Sequence, residues 1–248
     1  MRRNLRERIK KMSTAEGLDQ EISAAELETL AARFETAPPE ETLAWAIEEF
    51  GTELALATGF GPEGCVLIDM LVRIGSKTRI FYLDTDLHFA ETYSLIQRLE
   101  IRYGISFERR ATKLSLATQE QLFGAKLWER EPDRCCQLRK VEPLVQTLSE
   151  LRAWITAIRR DQSSTRSGAN VIESDRKFGL VKINPLVRWS SLDVWKYIFK
   201  HEVPYNPLHD QGYPSIGCAP CTTQVNPGEE QRSGRWRGTA KTECGLHQ

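Results

Sequence analysis

The chain has 248 residues, of which 40% are hydrophobic and 27% are charged. This length and composition predict a globular protein with one large domain and a sizeable core. The 34 basic residues balance the 34 acidic residues, which argues against nucleic-acid and membrane partners because no global field attracts either. No apolar stretch is long enough to cross a bilayer and no secretory signal opens the chain, so we expect a cytoplasmic protein.

Residues 1–50 are predicted to form a helical accessory segment. A Ser-x-x-Glu capping pattern at Ser23 predicts a helix that continues through Phe34. A second helix is predicted from about Glu41 to Phe50. None of the motifs described below lies in this segment, so we expect it to be dispensable for the chemistry.

Residues 51–215 are predicted to form the core domain. Strand-like runs alternate with helical patterns, and we predict strands at Glu53–Thr58, Arg79–Leu83, Ser106–Arg109 and Trp154–Ile158. A further helix begins at the Ser190 capping pattern and runs to about His201. This order predicts an α/β fold with a mostly parallel sheet and helices on both faces, which binds ligands at the carboxyl ends of its strands.

Two motifs that follow the first two predicted strands are candidates for nucleotide binding. Glycines after a strand let backbone N–H groups approach a phosphate, and the next helix adds a favourable dipole. Polar residues after the second strand can bind a ribose or cap the following helix. The turn has neither a Walker A pattern nor a dinucleotide fingerprint, so an ordinary turn explains it equally well. The candidate residues are Thr58, Gly59, Gly61, Leu83, Asp84 and Thr85.

The loop after the fourth predicted strand is a candidate oxyanion site. It contains Arg159, Arg160 and Arg166, and a guanidinium group matches phosphate or sulfate with two hydrogen bonds. The alternative is a solvated basic loop. Three arginines at the carboxyl end of a strand favour the functional interpretation.

Residues 216–248 are predicted to form a Cys-rich segment and a C-terminal tail, which need a cross-link to be ordered. Clustered cysteines in a cytoplasmic chain indicate metal or redox chemistry. Cys135 is directly followed by Cys136, and Cys218 and Cys221 form a Cys-x-x-Cys pair. Four thiolates suit structural zinc or an iron–sulfur cluster. Adjacent ligands are strained for a zinc knuckle, so a [4Fe–4S] cluster is favoured over zinc and over unligated thiols.

The remaining cysteines have different predicted roles. Cys65 lies in an apolar helix and is expected in the core. Cys244 lies near the C-terminus, after Arg232 and Arg235, and nearby cations lower the pKa of a thiol and favour the nucleophilic thiolate. Taken alone, the Cys244 motif is explained better by a frayed end with an inert cysteine. Lys140 is placed to bring an ammonium group near the first cysteine pair, or is an ordinary surface lysine.

Together these motifs resemble the assimilatory adenylyl-sulfate reductase family, within the wider phosphoadenylyl-sulfate reductase group. The resemblance covers most of the chain, from about Glu53 to His247. It is carried, in family order, by Cys135-Cys136 with Leu138-Arg139-Lys140, Arg159–Ser163, Tyr205–His209, Ile216–Thr222 and Glu243–His247. The chain departs from the family pattern at Thr58 and Gly64, where serine and aspartate are usual, and at Asp86, where glycine is common.

The resemblance implies a fold like that of the adenine-nucleotide α-hydrolases and the reduction of adenosine 5′-phosphosulfate to sulfite and AMP. An S-sulfocysteine forms on catalytic Cys244, assisted by His247, and thioredoxin or glutaredoxin acts as the reductant. One [4Fe–4S] cluster per subunit is implied on Cys135, Cys136, Cys218 and Cys221. The adenosine is expected along Thr58–Gly64 and Leu83–Thr85, and the phosphosulfate at Lys140, Arg159, Arg166, Arg232 and Arg235.

Alternative functions are kept beside this one. Family members that act on the 3′-phosphorylated substrate usually lack the cluster cysteines, so a phosphoadenylyl-sulfate reductase is the second choice. A tRNA-modifying enzyme of the ATP-pyrophosphatase type would need a Ser-Gly-Gly-x-Asp-Ser loop and a basic surface, and the chain has neither. The third alternative is a non-enzymatic zinc-binding interaction protein. The sequence leaves open whether the chain forms a homo-oligomer.

Overall fold

The structure is a computed structural model that describes residues 22–246, so expectations for residues 1–21 and for His247 lie outside the described residues. Its helices are α1 Ala24–Phe34, α2 Pro39–Phe50, α3 Pro62–Arg73, α4 Ala90–Tyr103, α5 Leu116–Phe123, α6 Leu127–Arg130, α7 Pro132–Cys136, α8 Glu142–Leu148 and α9 Ser191–His201. A π-helical turn, Gln137–Val141, joins α7 to α8. The strands are β1 Leu54–Ala57, β2 Arg79–Asp84, β3 Glu108–Ala111, β4 Ala153–Ile155, β5 Ile172–Asp175 and β6 Leu180–Ile183.

The strands described within residues 22–246 form one sheet in the order β3-β2-β1-β4-β6-β5. All neighbours pair in parallel except β5, which runs antiparallel to β6 at the edge. The predicted mostly parallel α/β sheet is therefore confirmed. The chain adds β2 on one side of β1 and β4 on the other. Such a reversal opens a crevice at the carboxyl ends of the two central strands.

The sheet has an apolar core on each face. Leu54 and Leu56 of β1 enter the larger core, whereas Ala55 enters the smaller one. This alternation follows from the two-residue period of a strand. Cys65 of α3 is fully buried in the larger core, as predicted. Trp154 of β4 belongs to the smaller core, which packs under α8.

The helices of the predicted accessory segment pack against the core domain. The capping box at Ser23 is present and begins α1 as predicted. On α2, Leu43 and Ala46 are fully buried in the larger core. On α1, Phe34 packs with Ile172 of β5. These helices therefore contribute to the packing that holds the sheet.

The β5–β6 hairpin was not predicted. β5 reads Ile-Glu-Ser-Asp, and its inner residues Glu173 and Ser174 are not buried. A short edge strand with so few apolar residues carries little periodic signal. The helix predicted from the Ser190 capping pattern is confirmed as α9, with its capping box to Asp193. Within the described residues, every helix is too short or too polar to span a bilayer.

Candidate active site

A cavity of about 260 Å³ lies at the carboxyl ends of the two central strands. Ala57 and Thr58 line it at the end of β1, and Trp154 and Ala157 line it on the side of β4. Cys244 lines it from the C-terminal tail. The cavity therefore occupies the switch point of the sheet, where open α/β sheets bind their ligands.

The glycine-rich turn after β1 forms part of the cavity wall. Thr58, Gly59 and Gly61 line the cavity, and α3 begins directly after Gly61. The Thr58 hydroxyl accepts a hydrogen bond from the Phe60 N–H at 3.0 Å. A Cβ atom on Gly64 would lie 2.5 Å from Thr58 Oγ1. With the Thr58 side chain in this position, the backbone at Gly64 has no room for a side chain.

Of the three candidate residues at the carboxyl end of β2, one lines the cavity and two do not. Leu83 lines the cavity, whereas Asp84 and Thr85 do not. The Asp84 carboxylate accepts a hydrogen bond from Arg109 Nε at 2.6 Å. Burial raises the pKa of Asp84, but this bond and other hydrogen bonds outweigh burial and lower the pKa overall. Thr85 Oγ1 lies 3.2 Å from Cys218 Sγ, so Thr85 meets a predicted metal ligand rather than the cavity.

Asp86 adopts the left-handed backbone conformation that glycine would otherwise supply, with φ of 57°. Its carboxylate accepts hydrogen bonds from Arg109 at 2.8 Å and Arg139 at 3.1 Å. Arg139 is 1% exposed and also donates to the Thr85 carbonyl at 2.9 Å. Arg139 thus ties the loop after β2 to the π-helical turn that follows the first cysteine pair. The sequence places Arg139 in the motif that follows the first cysteine pair, but no role was predicted for it.

The arginine loop after β4 delivers one of its three arginines to the cavity. Arg166 lines the cavity, whereas Arg159 and Arg160 do not. The Arg159 side chain is buried and forms an ion pair with Glu63 of α3 at 2.8 Å. Arg160 pairs at 2.6 Å with Glu35, which follows α1. Two arginines of the predicted oxyanion loop therefore join elements of the fold.

The positive charges of the cavity wall come from separate parts of the chain. They are Lys140, Arg166, Arg232 and Arg235. The Nε atoms of Arg166 and Arg235 are buried and have no hydrogen-bond partner within the part of the chain that the structure describes. Because guanidinium and ammonium groups bind anions, these four side chains make the cavity suited to an anionic ligand.

The two predicted cysteine pairs are brought to one place. Cys135 and Cys136 end α7, and Cys218 and Cys221 lie at a short 3-10 turn that hydrogen-bonds to the loop after β2. Burial raises the pKa of Cys135 to about 12, and repulsion from the other three thiolates adds to this effect. Within residues 22–246, no group of three or more His, Cys, Asp and Glu side chains is arranged to hold a metal ion.

Lys140 lies between the cysteines and the cavity. Burial lowers the pKa of its ammonium group, but the negative charges of Cys218, Cys244 and Cys136 outweigh burial and raise the pKa. In return, burial raises the pKa of Cys218, yet the Lys140 ammonium and the Thr85 hydroxyl lower it overall. Lys140 therefore couples the cysteine group electrostatically to the candidate nucleophile.

The tail that carries Cys244 is docked on the protein. Cys244 is partly exposed. Before it, the Thr242 carbonyl accepts a hydrogen bond from Arg232 at 3.1 Å. After it, the Gly245 carbonyl accepts one from Lys177 at 2.5 Å. Residues 242–246 are therefore held on the protein and do not form the frayed end that the sequence left as an alternative.

His209 is a cavity residue that sequence reasoning did not select. It lines the cavity, and its Nε2 atom is buried without a hydrogen-bond partner within residues 22–246. Burial lowers the pKa of His209 below the usual value of an imidazole, so the ring is neutral near pH 7. His209 belongs to the Tyr205–His209 motif of the family resemblance, and this was the feature of the sequence that could have identified it.

Comparison with known proteins agrees with this geometry. A model described as phosphoadenosine phosphosulfate reductase domain matches residues 53–224. A Salinibacter ruber protein named adenosine 5′-phosphosulfate reductase is 49% identical over 91% of this chain and 90% of its own length. A Gloeobacter violaceus protein named phosphoadenosine 5′-phosphosulfate reductase is 47% identical over 94% of this chain and 96% of its own length. The crystal structure of phosphoadenylyl-sulfate reductase from Candida auris, a phosphate complex, matches with a TM-score of 0.73 and 31% identity, covering 86% of this chain and 100% of that one.

Proposed function

Because the chain belongs to the phosphoadenosine phosphosulfate reductase family, we propose that it reduces adenosine 5′-phosphosulfate to sulfite and AMP. One observation carries the proposal: Cys244 and four cationic side chains line a single cavity at the switch point of the sheet. Displacement at a sulfonyl sulfur requires a nucleophile beside groups that stabilise the departing anion. The cavity supplies both.

The first step is assigned to the Cys244 thiolate. Its Sγ attacks the sulfur of the substrate, the bond from that sulfur to the phosphate oxygen breaks, and AMP departs with the electron pair. Cys244 is left as S-sulfocysteine. Lys140, Arg232 and Arg235 neutralise the charge that develops on the leaving phosphate. His247 is assigned an assisting role in substrate binding or thiolate formation.

The second step is assigned to a dithiol reductant of the thioredoxin or glutaredoxin type. One of its thiolates attacks Cys244 Sγ, and sulfite leaves with the electron pair of the sulfur–sulfur bond. The second thiol of the reductant then attacks the mixed disulfide and restores the Cys244 thiol. The reductant is oxidised to its disulfide, so its two electrons account for the reduction of the sulfonyl sulfur.

The nucleotide is assigned to the sheet side of the cavity. Thr58, Gly59 and Gly61 line that side together with Leu83, and the N-terminus of α3 favours a phosphate there. Asp84, Thr85 and Arg159 do not line the cavity, so their assigned role is to support its wall. Arg159 does so through its buried ion pair with Glu63.

We propose that Cys135, Cys136, Cys218 and Cys221 hold one [4Fe–4S] cluster per subunit. Four cysteine thiolates are the donor set of such a cluster, and the buried Lys140 ammonium supplies nearby positive charge. The bound cluster would cross-link the C-terminal segment to α7. Its role is structural and electrostatic, because the thiol chemistry above accounts for both electrons.

Reduction of the 3′-phosphorylated substrate is the second candidate, favoured by the 47% identity to the Gloeobacter violaceus protein. The cluster cysteines favour the substrate without the 3′-phosphate. Competition assays with the two nucleotides would separate the candidates. We further assign residues 51–215 to the reductase core and residues 216–248 to the Cys-rich segment and catalytic tail, and we place the protein in the cytoplasm.

The test of the proposed function is intact-mass spectrometry of the protein incubated with adenosine 5′-phosphosulfate and no reductant. The wild-type protein should gain the mass of one SO₃ group and release one equivalent of AMP. Cys244→Ser should gain nothing, and its sulfite production should fall at least about 1,000-fold because a hydroxyl is a far weaker nucleophile.

Cys65→Ala is the control, since Cys65 is buried in the larger core and does not itself line the cavity. This variant should form the adduct at the wild-type level. An adduct on Cys244→Ser would place the nucleophile elsewhere and end the proposal.

A further inference from the structure

The acidic residue beside the nucleophile is buried against the arginines of the cavity wall. The Glu243 side chain is 6% exposed and accepts hydrogen bonds from Arg232 Nη2 at 2.9 Å and from Arg166 Nη2 at 3.2 Å. The Thr165 hydroxyl lies 3.4 Å from its other oxygen. Within residues 22–246, neither arginine has another carboxylate partner.

We propose that Glu243 is the residue that positions Cys244, by seating the tail on Arg166 and Arg232. The peptide bond keeps the Cα atoms of Glu243 and Cys244 about 3.8 Å apart, so fixing one residue restricts the other. Arg232 also donates to the Thr242 carbonyl at 3.1 Å, and one guanidinium therefore holds two consecutive tail residues. The assignment of Cys244 as the nucleophile rests on the proposed function.

Leu246 adds an apolar contact with the smaller core, and the other polar contacts of the tail are weaker anchors. Lys241 forms an ion pair with Asp133, whose side chain is 87% exposed, and exposed pairs contribute little. Lys177 donates to the Gly245 carbonyl in an exposed position. Breaking a buried pair is costly because it leaves an uncompensated charge. Glu243 is therefore the polar contact on which the placement of the tail depends most.

The same arginines serve the tail and the anion site. Arg166 uses Nη2 for Glu243, while its buried Nε has no hydrogen-bond partner in the described residues. Arg166 and Arg232 both line the cavity and both pair with Glu243, so the same two side chains are available to the substrate anion and to the tail. The Glu243 carboxylate also repels an anionic substrate, so neutralising it should loosen the tail without weakening substrate binding.

Glu243→Gln tests whether Glu243 holds the tail without contributing to substrate binding, with Glu229→Gln as the matched control. Glu229 also pairs with an arginine of the same segment, Arg237 at 2.7 Å, but its side chain is 34% exposed and it forms no ion pair with Arg166 or Arg232. In the protein without substrate, hydrogen exchange of residues 240–246 should become about tenfold faster in Glu243→Gln. It should stay at the wild-type rate in Glu229→Gln.

Two further measurements separate positioning from general damage. The rate of S-sulfo adduct formation in a single turnover should fall about tenfold in Glu243→Gln. The affinity for adenosine 5′-phosphosulfate, measured in a Cys244→Ser background to stop the chemistry, should be unchanged or higher. A merely destabilised protein would lose rate and affinity together.

Unchanged tail exchange in Glu243→Gln, or an equal loss of rate and affinity, would overturn the proposal. If the wild-type protein formed no adduct, the proposed function would fail, while the exchange measurement would still decide whether Glu243 anchors the tail.

Discussion

The two sides of the cavity are built by different means. On the sheet side, β1 is hydrogen-bonded along both edges, with Ala55 paired to Arg79 on β2 and to Trp154 on β4. On the tail side, residues 216–246 contain no strand or α-helix, only short turns and two isolated bridges. Side-chain ion pairs and hydrogen bonds hold this second side.

The difference suits the two proposed steps. A wall made of paired strands keeps its shape whether or not a ligand is bound, so it can present a fixed surface to the nucleotide. A wall held by side-chain contacts can open at lower cost. In the proposed reaction the Cys244 thiol meets the substrate first and an external reductant afterwards, and Cys244 lies on the wall that can open.

Among the variants that leave Cys244 unchanged, the largest expected effect is on the tail side, from Cys218→Ser. If the cysteines hold a cluster, this variant should lose its iron and brown colour, and sulfite production should fall roughly 100-fold or more. Absorbance, iron content and turnover of anaerobically purified protein are the measurements. The sheet should remain folded, as judged by circular dichroism.

Cys65→Ala is again the control and should keep its iron. Stoichiometric zinc without labile sulfide in the wild-type protein would refute the cluster.

The next effect is on the sheet side, from Leu43→Ala. Leu43 of α2 is fully buried in the larger core, so its truncation should lower the free energy of unfolding by about 2–5 kcal/mol. The folded fraction should keep its turnover, because no residue from 22 to 50 contributes to the cavity lining. Denaturant unfolding and turnover below the transition check both expectations.

Leu192→Ala is the comparison, because Leu192 is 61% exposed and should change stability by less than about 0.5 kcal/mol. A loss of turnover in folded Leu43→Ala would show that the first helices take part in the chemistry.

The smallest effect is local to the glycine-rich turn, from Gly64→Ala. The new Cβ would lie 2.5 Å from Thr58 Oγ1. Overpacking of this kind lowers the free energy of unfolding by about 1–3 kcal/mol. We expect KM for the nucleotide to rise about tenfold and kcat to change less. Steady-state kinetics with saturating reductant measure both.

The double variant Thr58→Ala/Gly64→Ala sharpens this prediction. Removing the hydroxyl removes the clash, so the double variant should bind the nucleotide better than Gly64→Ala alone. Strictly additive losses would show that the two positions are not coupled.

Much of the fold followed from local patterns. The capping boxes at Ser23 and Ser190 and the strand after residue 53 are confirmed near their predicted places. These features depend on residues a few positions apart, so a single sequence carries them. The edge hairpin of β5 and β6 was missed because its pairing is set by neighbours and only weakly by its own apolar spacing.

The sequence by itself determined the chemical groups of the site: two pairs of cysteines, the Cys244 thiol near the C-terminus, and arginines in the loop after β4 and before Cys244. Tertiary structure alone decided which of these groups share the cavity. Arg166 faces it while Arg159 is buried against Glu63, and Glu243 reaches Arg166 across 77 positions of sequence. The physical reason is that a side chain's partner is fixed by how distant elements pack and by the cost of burying an unpaired charge. The spacing of residues along the chain determines neither the packing of distant elements nor the burial of a charge.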